Sequence, residues 1–371
     1  MTKREDYSIF LDKLLSKNRP FAAWSMPGTE FPELLISEKK DLLRIQGFQT
    51  LNSQEGFVFA PFRISEKTPF LLMKPGILLK GHEAISSFDP DTLPTCEPEA
   101  DRQEDYFSIS RDEYLRDIKD TISEIRKTKL SKVIISRLIS KERTDESIGR
   151  LYLELRKLAP NAFVYLVNLP DAGLWMGATP EALLQSHGRT METVSLAGTQ
   201  PKRTDSNYSW FTKEIEEQAF VSRYMLDVFH RFQIHPYTTQ GPETLESGNV
   251  AHLKTSFHFS AKKVGDRLGD FIAELHPTPA VCGLPKGKAD RFISKVEKHD
   301  RRYYAGYLGP WHLHDSVRLF VNLRCMEINP RRYILYSGGG ITSRSVPEKE
   351  WEETNNKAQT LLAAIEAVQN K

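Results

Sequence analysis

Residues 128–137, TKLSKVIISR, carry the reading on which the fold turns. Val133, Ile134 and Ile135 are consecutive and β-branched, which suits a strand covered on both faces. Lys132 stands at its entrance. A lysine at a strand end ordinarily snorkels, its stem on apolar surface and its ammonium in water. The other reading is an amine taken under cover for chemistry, and the rest of the chain decides between them.

Working outward, SISRDEYLRDIKDTISEIRKTKL precedes this strand with helical spacing. Tyr114, Ile118, Ile122 and Ile125 share a face, and Ser110 with Glu113 forms a capping box. A second helix is expected over about 146–158, a long one over about 207–232 and a last one over about 348–368. Strands are expected near FVYLVNL, LWMGAT, METVSLAGT, VAHLKTSF, YAGYLGPW, VRLFVNLRCMEI and RYILYS. Before them, GFVFAPFRI and PFLLMKPGILL also read as strands, and residues 1–85 mix short helical and strand signals. Residues 86–105, rich in Pro, Asp and Glu, read as a linker or long surface loop. Clustered strands with hairpin-like connections argue for an α+β fold with mixed or antiparallel sheets. One domain over 1–371 is expected.

The chain has 371 residues, 51 basic and 49 acidic side chains, and a net charge of +2. That balance makes no electrostatic case for nucleic acid or an anionic membrane. An acidic ligand must then be held by a few placed cations. Cys96, Cys282 and Cys325 are too few and too scattered for a disulfide framework or a zinc site. The first residues turn polar too soon for a secretory signal, and no apolar run approaches the ~20 residues of a membrane helix. A cytoplasmic protein is expected.

Two expected helices carry the same acidic spacing. Glu214 and Glu217 lie three apart in TKEIEEQAFV, and Glu350 and Glu353 repeat this in EKEWEETNNKAQTL, with Lys357 one turn on. Taken singly, each pair reads as a solvated helix face. Facing one another, they would make an all-oxygen site for a hard cation such as Mg²⁺, whose remaining ligands come from water and an anionic substrate. Lys357 would meet that substrate's charge. SGGGITS, 337–343, reads either as a flexible turn or as a nest of backbone N–H groups for an anion. Arg324, inside the apolar VNLRC, needs a carboxylate, from a ligand or from a structural salt bridge. His276, in ELHPTPAVCGLP, sits in a proline-stiffened loop, either as a placed imidazole or as an ordinary satisfied histidine.

Together these stretches resemble the chorismate-utilising enzymes: isochorismate synthase, salicylate synthase, anthranilate synthase component I and aminodeoxychorismate synthase component I. The matching motifs run in order: KVIISR (132–137), GATPE (177–181), LAGT (196–199), KEIEEQAFV (213–221), HPTPAVCGLP (276–285), YAGYLG (304–309), NLR (322–324), SGGGI (337–341) and EWEETNNK (350–357). The resemblance covers about residues 106–366. It implies packed sheets with helices outside and a Mg²⁺-dependent site for chorismate, a dianion. Glu217 and Glu353 match the metal ligands, with Glu214 and Glu350 in or beside the shell. Gly338, Gly339, Gly340 and Lys357 would back the ring carboxylate. Arg324 and Tyr304 would hold the enolpyruvyl carboxylate, and Gly198, Thr199 and His276 would line the ring. Lys132 matches the general base of the water-adding members and Glu181 the general acid.

Such chemistry asks for an uncharged amine and a proton-bearing carboxyl near neutral pH. Ordinary values are ~10.4 and ~4.3, so burial must push each far from its usual range.

Lys132 resembles the water-adding members, since the ammonia-using ones carry glutamine there. Ala197 stands where aminodeoxychorismate synthases carry a nucleophilic lysine. The resemblance therefore implies isochorismate synthase, serving menaquinone or siderophore synthesis. Salicylate synthase and a silent chorismate-binding subunit remain as alternatives. With water as nucleophile no glutaminase subunit is expected, and a monomer or weak homodimer is. Glu214 and Gln218 replace the Asp and His of many relatives, and Gly339 replaces an alanine.

Overall fold

The structure, a computed structural model, describes residues 3–97, 106–247 and 250–370. Among the described residues eighteen strands form two nine-stranded sheets, and every strand pairing is antiparallel. The first sheet runs in the order Gly283–Leu284, Lys132–Glu142, Arg332–Ile341, Cys325–Ile328, Gly173–Thr179, Phe163–Leu169, Phe21–Ser25, Glu33–Ile36, Ile77–Lys80. The second runs Tyr237–Ser247, Val250–Ser260, Thr190–Pro201, Ala182–His187, Arg318–Val321, Tyr307–Trp311, Gly56–Ala60, Leu71–Met73, Leu42–Arg44. The first eighty residues supply three strands to each sheet, so they build the same sandwich as the rest.

The sandwich explains the unbroken apolar runs. In Phe163–Leu169, Phe163, Tyr165 and Val167 enter the core between the sheets. Val164 and Leu166 enter a second core under helices Lys3–Ser16, Ile148–Leu158 and Pro347–Gln369. A strand buried on both faces loses its polar alternation. Between the sheets, Phe163 stacks on Phe320 with ring centroids 4.2 Å apart and planes 8° from parallel.

Helix Arg111–Lys127 begins where expected, with Ser110 and Glu113 closing the capping box in both directions. The helix expected from about 207 spans Thr212–Arg231. Three expectations change. SGGGI is neither turn nor nest: residues 337–341 close the strand Arg332–Ile341 and pair with Val133–Arg137. VRLFVNLRCMEI is not one strand but two, Arg318–Val321 in the second sheet and Cys325–Ile328 in the first. Within 86–105, Pro90 and Leu93 are buried, and Lys17 donates to the Leu93 carbonyl at 2.7 Å, so this part is tied to the first helix. Residues 98–105 lie outside the described residues. Among the described residues no helix is long and apolar enough to cross a membrane.

Replacing Phe320 by Ala is expected to cost about 3–5 kcal/mol in urea unfolding, the range for a large aromatic in a packed core. Phe211, 69% exposed, is expected to change by no more than about 0.5 kcal/mol when replaced by Ala.

Candidate active site

A two-stranded ribbon passes through both sheets and carries the site at its bend. Gly173–Thr179 leaves the first sheet, and two residues later Ala182–His187 enters the second. Its return partner makes the same passage through Asn322–Arg324. Backbone bonds lace the passages together: Val321 N–H to the Glu181 carbonyl at 2.9 Å, and Ala178 N–H to the Arg324 carbonyl at 3.1 Å. Asn322, fully buried, pins the bend by accepting from Tyr165 Oη at 2.6 Å and donating to the Tyr303 carbonyl at 2.9 Å. Arg324 adopts φ +46°, a left-handed conformation uncommon outside glycine. Glu181 and Arg324 thus come to one cleft from opposite strands of the ribbon.

The cleft is also lined by Lys132, Thr199, Glu217, Tyr304, Gly338, Gly339, Gly340, Glu353 and Lys357. Leu196, Ala197, Ala280, Val281 and Leu323 add apolar wall. Lys132 is 1% exposed and its Nζ lies 2.7 Å from Glu217 Oε1. Burial pushes the Glu217 carboxyl up, but Lys132, Lys213 and Lys357 together outweigh it, and the group sits below its usual range. Lys357 pairs with Glu353 at 2.8 Å and donates to the Gly338 carbonyl at 3.0 Å.

Glu181 is 5% exposed. Burial pushes its carboxyl up to about 7 against the pull of Lys132, Lys357 and Arg324. Burial lowers Arg324 to about 10, which leaves it cationic at neutral pH. Burial also holds the Tyr304 hydroxyl above its ordinary value, so it keeps its proton.

Glycine leaves room here for the ends of neighbouring side chains, most closely at Gly338 and Gly340. A Cβ on Gly340 would lie 2.7 Å from Glu217 Oε1 and 3.0 Å from Lys132 Cε. On Gly339 it would lie 3.2 Å from Glu350 Oε2, and on Gly338 2.7 Å from the Tyr304 hydroxyl. The glycine run gives polar side chains room against a strand.

Four expected residues stand apart from the cleft lining. Glu214 turns back to cap its own helix, accepting from Phe211 N–H at 3.0 Å, because a helix start leaves N–H groups unsatisfied. Gly198 lies under that helix and offers its carbonyl to His252. His276 packs on Tyr307 with its Nε2 3.2 Å from the Pro61 carbonyl. Burial, with Lys286, lowers His276 to about 4, so it is an uncharged structural histidine. Glu350 is 1% exposed and pairs with Lys213 at 2.9 Å behind the cleft wall. Burial and the neighbouring Glu353 raise it to about 7, while Lys213 stays charged.

His252 was not singled out by the sequence, yet it lines the cleft. Its Nε2 lies 3.1 Å from Arg324 Nη2, and its Nδ1 lies 3.2 Å from both the Gly198 carbonyl and Thr199 Oγ1. A guanidinium only donates, so Nε2 accepts and Nδ1 carries the proton. Burial, then Arg324 and Lys357, hold this imidazole neutral. Nothing in the strand VAHLKTSFHFS marks it out, since Lys254, Thr255, Ser256 and His258 are polar too. Arg137 was missed too: its guanidinium lies 3.8 Å over the Trp351 ring and donates to Thr354 and Asn355, gripping the helix that carries Glu353 and Lys357.

The arrangement can hold an anion with the half-buried Arg324 and Lys357 and offers an amine and a proton-bearing carboxyl to one space. Comparison with known proteins agrees with this chemistry. Residues 75–366 match the model of the family described as chorismate binding enzyme. The chain belongs to the chorismate-binding enzymes. It is 28% identical over 266 residues to the vibriobactin-specific isochorismate synthase of Vibrio cholerae, covering 69% of this chain and 67% of that one. It is 29% identical over 243 residues to the isochorismate synthase EntC of Escherichia coli, covering 63% of this chain and 62% of that one. The matched stretch is thus about two thirds of these relatives' length. Among solved structures, the menaquinone-specific isochorismate synthase MenF of Escherichia coli superposes with a TM-score of 0.74 at 21% identity, covering 96% of this chain and 91% of that one.

Gly340→Ala is expected to lower stability by about 1–3 kcal/mol, the usual cost of overpacking. Gly287→Ala, in helix Lys286–Val296 where a Cβ would meet only Arg291 Nη1 at 3.9 Å, is expected to raise it by about 0.5–1 kcal/mol. Thermal melts of the two variants read both signs.

Proposed function

We propose that the chain is an isochorismate synthase, converting chorismate to isochorismate. The supporting observation is that Lys132 and Glu181 face one cleft and Glu181 holds its proton up to about pH 7. Water adds at C2 of the ring, and Lys132 takes its proton. The double bonds shift, the C4–oxygen bond breaks, and Glu181 protonates the departing hydroxyl. One water is gained and one lost, so substrate and product are isomers. Arg324 and Tyr304 bind the enolpyruvyl carboxylate, and neutral His252 accepts from Arg324 and fixes its direction. Lys357 faces the ring carboxylate. Ala197 in the cleft wall leaves no amine there to form a covalent intermediate.

Among the described residues no three His, Cys, Asp or Glu side chains already form a metal-holding group. The donor set nonetheless fits a hard cation. Glu217 and Glu350 come close to Gly340 and Gly339, with Glu353 beside them, and all offer oxygen. Glu350 Oε2 is buried without a hydrogen-bond partner among the described residues. These three glutamates would hold Mg²⁺, which when bound supplies positive charge to the substrate's ring carboxylate.

Purified protein with chorismate and Mg²⁺ is expected to form isochorismate, followed by chromatography, and to stop with EDTA. Salicylate with pyruvate would make the chain a salicylate synthase, and no product at all would leave a silent subunit. Lys132→Gln and Glu181→Gln are each expected to lower kcat by about 10²–10⁴-fold, the range for a lost general base or acid.

The pH dependence has a definite sign. Glu181 acts in its protonated form, and its value in the free protein is about 7. The kcat/KM profile is therefore expected to be level on that group's account below about 7 and to fall tenfold per pH unit above it. Loss of that limb in Glu181→Gln assigns it.

A further inference from the structure

Strand Lys132–Glu142 has a short partner on its outer edge. Gly283–Leu284 pairs with Val133 and Lys132, and the Cys282 carbonyl accepts from Ile134 N–H at 2.9 Å. The pairing register ends there, yet the strand goes on, and its buried backbone groups still need partners. Two side chains supply them. Arg301 Nη2 donates to the Ile134 carbonyl at 2.7 Å. Glu297 Oε1 accepts from Ser136 N–H at 2.7 Å and from Ser136 Oγ at 2.8 Å. An ion pair thus continues the ladder where the neighbouring strand stops.

The pair is closed on itself. Arg301 Nε lies 2.8 Å from Glu297 Oε2, and Nη2 lies 2.6 Å from Oε1, a fork set on a carboxylate. Arg301 is buried, with its guanidinium 4.4 Å over the Phe62 ring. Its Nη1 donates to the Val281 carbonyl at 2.8 Å. Ile134, Val281 and Tyr304 all line the catalytic cleft, and Arg301 lies behind that wall. It also opens the turn that carries Tyr304. The Arg301 carbonyl accepts from Tyr304 N–H at 2.8 Å, and the guanidinium lies 5.9 Å from the centre of the Tyr304 ring. This turn is strained: Arg302 at φ +49° and Ala305 at φ +61° are left-handed without being glycine. Such backbone persists where the surrounding structure over-determines it.

We propose that Arg301, seated on Glu297, is a positioning residue for substrate binding: one guanidinium joins Ile134, Val281 and the strained turn, and so holds the Tyr304 hydroxyl at the cleft. The proposal rests on the reading of Tyr304 as a ligand of the enolpyruvyl carboxylate. Lysine cannot do this work. A guanidinium spreads its N–H groups in a fixed plane, whereas an ammonium gathers its donors on one atom and cannot span a carboxylate and two carbonyls together.

The test is a double-mutant cycle on Arg301 and Tyr304, read by isochorismate formation with Mg²⁺. Arg301→Lys is expected to raise KM for chorismate about tenfold and to leave kcat within about threefold, the split for lost binding with the chemistry at Lys132 and Glu181 intact. Tyr304→Phe is expected to raise KM by about the same factor, and Arg301→Lys added to it by no more than about twofold further. A merely structural arginine would act independently, and the two effects would multiply to about a hundredfold. That product overturns the proposal, as does an unchanged KM in Arg301→Lys or a loss confined to kcat. If Arg301→Lys fails to fold by thermal melt, Glu297→Gln decides the matter. It keeps an acceptor for Ser136 but weakens the fork, so KM is expected to rise about threefold, and an unchanged KM overturns the proposal. If the unaltered chain forms no isochorismate, the reading of its function fails separately, and calorimetric titration with chorismate and Mg²⁺ reads the same cycle as changes in Kd.

Discussion

The site depends on one mechanical constraint. A two-stranded ribbon has to leave one sheet and enter the other without leaving buried backbone groups unpaired. It does so by lacing the two passages together, with Glu181 and Arg324 each giving a carbonyl to the partner strand. The bend that results aims both side chains into the gap between the sheets. A buried backbone group without a partner costs about as much as a lost hydrogen bond, so this geometry is held tightly. The geometry of this cleft comes from the meeting of two sheets rather than from a flexible loop.

Charge is organised around that bend. Lys132 with Glu217, Lys213 with Glu350 and Lys357 with Glu353 place three lysines against three glutamates along the glycine strand. Each pair joins different elements except the last, which spans one turn of one helix. In a buried setting every such charge needs its partner, because desolvation is expensive and attraction is strong. Burial pushes both Glu181 and Glu350 up to about 7, and of the two Glu181 is the one that lines the cleft. The glycines at 338–340 matter because these side chains occupy the volume where a Cβ would stand.

Local signals were legible where they needed no partner. The Ser110–Glu113 capping box, the helix that follows it and the strand holding Phe163–Leu169 all have causes inside their own sequence. The motif order pointed to the family, and most of the named residues reached one cleft. Misreadings arose where a neighbour decided. SGGGI has the composition of a turn, yet pairing with Val133–Arg137 makes it a strand. VRLFVNLRCMEI is uniformly apolar, yet the sheet change at Asn322–Arg324 splits it.

Residue chemistry and its order along the chain were therefore enough to name a family. Direction and environment were not contained in them. Whether Glu214 turns to a metal or to its own helix end is a matter of which orphan N–H groups lie in reach. Whether His276 or His252 meets the cleft depends on which loop or strand borders Arg324. Spacing within one element can be read along a chain, but burial, charge pairing and the choice of hydrogen-bond partner exist only between elements, once both sheets have closed over one another.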